Sequence, residues 1–170
     1  MPRISAANAG GQNVLAYLDM LAWCEGTSIS PATKCDGYDV IVTGVDGMPE
    51  IFVDFSNHPF ASGRPSKRIN TRGLTSNASG RYQQMLKDWP HYRALLRLPD
   101  FGPLSQDLLA LQHIRECRAL PDVQAGRIAD AIRKCRNIWA SLPEANYPGQ
   151  RMRSLDDCIR VYRAAGGVVA

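Results

Sequence analysis

The chain lacks any apolar run approaching the ~18 residues that cross a bilayer, so stable membrane insertion is not expected. Its start, "MPRISAANAGGQN", has one arginine and no apolar stretch behind it, and no secretory signal is expected. The three histidines form no HExxH or other metal-ligand spacing, which argues against a structural or catalytic zinc. The five cysteines, at 24, 35, 117, 135 and 158, form no CxxC pair and cannot all pair within the chain. They read as reduced thiols of a protein made in the cytoplasm. Internal repeats and low-complexity linkers are also missing.

What is present is ordinary globular composition: 170 residues, 45% hydrophobic and 21% charged. One domain over residues 1–170 is expected, with 1–12 as a loose lead. The net charge is +4, and from Arg127 to Arg163 Lys and Arg outnumber Asp and Glu eight to four. Such a bias suits any polyanion. No clustered basic–aromatic motif accompanies it, so a nucleic-acid partner is not expected.

The segment "NVLAYLDMLAWCEG" reads as a helix, with Asn13 as its cap and Gly26 as the left-handed residue past its end. "GYDVIVTG" and "VDGMPEIFVDFS" carry β-branched and aromatic residues punctuated by Gly, Pro and Asp-Gly. They predict two or three short strands in a small antiparallel sheet. Helices are expected again in "SNASGRYQQMLKDW", from Pro90, in "LSQDLLALQHIRECRA" behind a Ser105 cap, in "VQAGRIADAIRKCRNIWASL" and in "RSLDDCIRVYRAAGG". The class is α+β, mostly helical towards the C-terminus.

One carboxylate is oddly placed. At ~100° per residue, Glu25 lies only about 20° around the helix axis from Leu18, on the apolar stripe rather than beside Asp19. Loss of water disfavours the charged form there, and the carbonyls ending a helix add partial negative charge. Both effects hold a carboxyl group protonated near neutral pH, as a general acid in glycoside cleavage requires. A partly exposed glutamate that happens to end a helix is the plainer alternative. A second carboxylate is usual in such chemistry, and Asp36, Asp39, Asp46, Glu50 and Asp54 are the candidates. Alternation in "EIFVDFS" puts Glu50, Phe52 and Asp54 on one face. A rival reading takes Cys24 or Cys35 as nucleophile with His58 or His113 as base, but nothing near Cys24 in sequence would lower its pKa.

"LAYLDMLAWCEGT", "GYDVIVTG", "FVDFSNHPF", "GRYQ", "LPDFGPLSQD", "ALQHIRECRALP" and "NIWASLP" occur in that order from about Asn13 to Gly167. Together they resemble the bacteriophage lambda endolysin family of lytic transglycosylases. The resemblance implies a lysozyme-like α+β fold, in which a small antiparallel sheet and a mainly helical lobe flank a substrate cleft. It implies cleavage of the β-1,4 bond between N-acetylmuramic acid and N-acetylglucosamine in peptidoglycan glycan strands. The product would be a 1,6-anhydro sugar, with Glu25 of the Trp23–Thr27 block as catalytic acid and base.

Substrate contacts fall by the same resemblance on Arg81, Tyr82 and Gln83 of the GRYQ block and on Tyr147 after "NIWASLP". Asp54 is left as the secondary carboxylate, and a hydrolytic muramidase on the same fold is the alternative. Trp139 reads as core. No cofactor is implied. A monomer is expected, made in the host bacterial cytoplasm and released by a separate holin to the periplasm and cell wall. A wall-binding protein that kept the fold and lost turnover is the non-enzymatic alternative. Three positions depart from the family's namesake: Cys24 stands for a serine, Asn57 for an aspartate, and "PGQRMRS" follows Tyr147 in place of Gly-Gln and then Phe-Glu-His.

Overall fold

The computed structural model describes residues 1–145 and 152–170. They divide into two compact units, Met1–Glu25 with Asp107–Ala170, and Gly26–Gln106. The lead segment, read from sequence as loose, holds one helical turn, α1 (Ala6–Ala9), capped by the Ser5 hydroxyl. The backbone amides of Arg3 and Ile4 donate to the Asp107 carboxylate at 2.6 and 2.9 Å, which ties this segment down.

Helix α2 (Gln12–Cys24) is the axis of the first unit. Val14, Ala16, Tyr17, Leu18, Met20, Leu21, Ala22 and Cys24 are all buried, so residues all round the helix meet protein. Gly11, not Asn13, stands at its N-cap. The Asn13 side chain instead donates to the Gln124 carbonyl and accepts from the Val168 amide, at 3.0 and 2.9 Å. Gly26 has φ 77°, the left-handed conformation expected past the end of α2.

The long helix expected across "VQAGRIADAIRKCRNIWASL" is two. Helix α5 (Leu120–Gln124) stops before Gly126, whose φ of 76° breaks the run, and α6 (Ile128–Cys135) follows. Helix α5 buries Asp122 and Val123, and α6 buries Ile128, Ala131, Ile132 and Cys135. Helix α7 (Leu155–Ala164) starts at a Ser154 cap and stops before Gly166, φ 89°. Residues 107–116 of α4 (Pro103–Glu116) complete the unit. Ser105 does not cap α4; its hydroxyl donates to Asp100 at 2.9 Å, and the helix begins two residues earlier.

The second unit carries two antiparallel strand pairs, β1 (Val40–Ile41) with β2 (Glu50–Ile51), and β3 (Lys67–Arg68) with β4 (Thr75–Ser76). The helix expected over "SNASGRYQQMLKDW" is absent before Trp89. Ser79 and Gln84 exchange two backbone hydrogen bonds, 3.0 and 2.8 Å, and close residues 80–83 into a hairpin loop. That loop edges β1, since Gly80 donates to Val40 and Val42 to Ala78. Gly80 at φ 78° and Gln83 at φ 51° are incompatible with a right-handed helix, whatever the apolar spacing suggests. Helix α3 (Trp89–Leu95) then opens with Pro90 in its first turn, as expected. The expected α+β class is thus reached with less strand and more turn than the sequence suggests.

Gln106 organises this unit. Its buried amide donates to the carbonyls of Tyr38 (3.0 Å) and Phe101 (2.8 Å), and its oxygen accepts from the Arg81 amide (2.8 Å). A Cβ on Gly80 would collide with that oxygen. Gly80→Ala is therefore expected to lower stability by about 2–4 kcal/mol in urea denaturation, from left-handed strain and overpacking together.

Candidate functional site

Glu25 follows the last residue of α2, with its amide on the Leu21 carbonyl at 2.9 Å. The residue keeps part of its surface accessible, yet its carboxyl group has lost most of its water. Burial pushes its pKa up to about 7, against two opposing effects, a hydrogen bond from the Ser141 hydroxyl and the charge of Arg153. The Ser141 bond is 2.5 Å long. A carboxyl group with this pKa holds a proton on part of the molecules at neutral pH and can give or take one.

Arg153 fixes the helix end from outside. Its guanidinium lies 4.2 Å from the centre of the Trp23 ring and donates to the carbonyls of Trp23 and Cys24, at 3.3 and 3.4 Å. These are carbonyls that a helix C-terminus leaves without intrahelical donors. The Arg153 amide also donates to the Ser141 carbonyl at 2.8 Å. Ser141 and Arg153 therefore act on Glu25 as a joined pair. Neither was assigned a role from sequence. The only signal was a serine among apolar neighbours in "NIWASLP" and arginines in the departing "RMRS".

The GRYQ block, in the other unit, divides its roles. Arg81, expected among the substrate contacts, is 1% exposed. Its guanidinium pairs with the Asp36 carboxylate at 3.0 Å, donates to the Asp36 carbonyl and lies 5.1 Å from the Tyr38 ring centre. An ion this deep needs a partner inside the protein, and Asp36 supplies it. The Arg81 carbonyl accepts from the Thr27 hydroxyl at 2.6 Å. Tyr82 is also 1% exposed and meets Tyr38 edge-on, centroids 6.4 Å apart. Gln83 is only half-buried; its left-handed backbone is held by its amide and side chain, both on the Gly80 carbonyl at 3.1 and 3.2 Å.

Asp54 sits exposed in a loop and accepts from the Ser56 amide at 2.8 Å; that bond holds its pKa below the usual carboxylate value. It lines a 390 Å³ hollow with Asn57, His58 and Arg64. Asn57 accepts from the Trp89 indole and the His58 amide, at 2.7 and 2.9 Å. An aspartate would accept both, so this replacement changes charge rather than architecture. Trp139 is core, as expected. Tyr147 lies outside the described residues.

Cys24 is a buried thiol. Its hydrogen bond to the Cys158 sulfur and its burial push its pKa well above the ordinary thiol value, the opposite of what a nucleophile needs. Among the described residues, no group of three or more His, Cys, Asp or Glu could hold a metal ion, and no helix is long and apolar enough to cross a membrane.

The raised acid has a consequence for stability. Between the unfolded value of 4.5 and the folded value of about 7, the folded state binds more protons. Stability therefore falls as pH rises through that window and levels off above it. Glu25→Gln is expected to gain about 2–3 kcal/mol over the parent at pH 8 and nothing at pH 4, read by denaturation at each pH. A flat difference would contradict a desolvated Glu25.

The Endolysin family model matches residues 15–169 of this chain. The endolysin of Escherichia phage P2 is 64% identical over 159 residues, spanning 94% of this chain and 96% of that protein. The endolysin of Escherichia phage lambda is 47% identical over 155 residues, 91% of each. Bacteriophage lambda lysozyme complexed with a chitohexasaccharide matches the fold with a TM-score of 0.84 and 44% identity, over the whole of both chains. A further structure of the lysozyme from bacteriophage lambda gives 0.79 and 43%, again over the whole of both chains. On sequence and on fold alike, this chain belongs to the endolysin family.

Proposed function

We propose that this endolysin is a lytic transglycosylase, cutting the β-1,4 bond between N-acetylmuramic acid and N-acetylglucosamine with Glu25 as both acid and base. The observation that carries this reading is a reachable carboxyl group with a pKa of about 7. Protonated Glu25 gives its proton to the leaving glycosidic oxygen as positive charge grows on the muramic acid ring. The resulting carboxylate takes the proton of that sugar's 6-hydroxyl, whose oxygen bonds to the anomeric carbon. The bond made replaces the bond broken, the proton is returned, and no water is consumed. Tethering the nucleophile to the reacting ring gives it a high effective concentration. A second carboxylate is then unnecessary.

The remaining residues serve this step from other positions. Gln83, half-buried with a strained backbone, offers its amide to acetamido or hydroxyl groups, and strain of this kind gathers at functional sites. Arg81 and Tyr82, being interior, shape the loop that presents Gln83 rather than gripping the polymer themselves. Tyr147 remains a proposed sugar contact by family resemblance. The ionised, exposed Asp54 is the residue a hydrolytic muramidase on this fold would use as its second carboxylate.

The glycan ligand in the lambda lysozyme structure supports a saccharide substrate here. A monomer made in the host cytoplasm, passed to the wall by a separate holin, completes the reading.

Clearing of purified Gram-negative sacculi tests the role of Glu25. Glu25→Gln is expected to fold with an unchanged circular dichroism spectrum and to clear about 10²–10⁴-fold more slowly. Clearing at the parent rate would remove Glu25 from the mechanism.

A further inference from the structure

The sulfurs of Cys24 and Cys158 lie 3.5 Å apart, both side chains buried, although 134 positions separate them in sequence. Cys24 ends α2 and Cys158 is in the first turns of α7. Two features keep these segments in register. The Ser154 cap fixes the start of α7, and Arg153 just before it is bonded to the carbonyls of Trp23 and Cys24. A disulfide needs its sulfurs about 2.05 Å apart, so about 1.5 Å of approach is required.

We propose that Cys24 and Cys158 are a dithiol that closes into a disulfide when the protein meets a disulfide oxidant, tying the end of α2 to α7. One thiolate attacks a sulfur of the oxidant and releases one small thiol, leaving a mixed disulfide. The second protein thiolate attacks the protein sulfur of that mixed disulfide and releases the other small thiol. Two S–H bonds and the oxidant's S–S bond are lost, one protein S–S bond forms, and the protons end on the released thiols.

The bond would fix the backbone immediately before Glu25 and close a loop of more than a hundred residues, which removes much freedom from the unfolded chain. In the cytoplasm the pair stays reduced; outside it, where the proposed wall substrate lies, disulfides persist. Only that choice of compartment rests on the proposed function, since the cross-link itself needs no substrate.

The test uses the full chain in two arms, folded protein held with oxidised glutathione and protein refolded from urea in a glutathione redox buffer. Each is acid-quenched, alkylated in denaturant, digested and mapped by mass spectrometry. The expected result is a Cys24–Cys158 cross-linked peptide and a Tm at least about 5 °C above that of the reduced form. Both signals should vanish in Cys158→Ala and, independently, in Cys24→Ser. Alkylation of Cys24 and Cys158 in both arms, or their pairing only with Cys35, Cys117 or Cys135, overturns the proposal. Neither readout involves sacculi, so a failure here is distinct from a failure of the transglycosylase reading.

Discussion

Keeping water from the ionised form holds a carboxylic acid protonated near neutral pH, yet the acid proposed for this chain must remain open to whatever receives the proton. Glu25 meets both demands by standing one residue past the end of a helix that is buried nearly all round. The left-handed turn at Gly26 leads the chain away from the end of α2. Ser141 and Arg153 oppose the effect of burial and keep the acid from rising out of range. A pKa of about 7 is the balance of these effects. The cost is borne by stability, because an ionised Glu25 is poorly solvated in the fold.

The second unit depends on a different economy. Its strands are two residues each, too short to define a sheet by pairing alone. Buried polar groups take over that task. Gln106 joins the backbones of Tyr38, Arg81 and Phe101, and Thr27 joins that of Arg81. Arg81 and Asp36 form an ion pair beneath. Most of these partners lie far apart in sequence, 25 positions for Gln106 and Arg81, 54 for Thr27 and Arg81, and 68 for Gln106 and Tyr38. The outcome is a hydrogen-bonded frame in which Asp36 (φ 52°) and Gln83 (φ 51°) both hold left-handed backbones.

Some of this was legible in the sequence and some was not. Helix α2, the stop at Gly26, Pro90 opening α3 and the placement of Glu25 on the apolar stripe all follow from local periodicity and capping. The GRYQ hairpin does not: its apolar spacing imitates a helix, and only pairing with β1 and the left-handed Gly80 and Gln83 decide otherwise. Gly126 likewise hid a break inside a continuous apolar pattern. Arg81 entered the substrate contacts through the GRYQ resemblance, and its burial against Asp36, 45 positions away, is beyond anything spacing reveals. Ser141 and Arg153 were silent for the same reason, being more than a hundred residues from the helix end they control.

Digestion of purified sacculi in water enriched in ¹⁸O, followed by mass spectrometry of the released muropeptides, tests the central claim most directly. A tethered 6-hydroxyl nucleophile predicts muramic acid ends in the 1,6-anhydro form, lighter by one water than a hydrolysed end and free of the label. Reducing muramic acid ends carrying one ¹⁸O would mean that water attacks, and would contradict the account of Glu25 as the sole carboxylate of a transglycosylase.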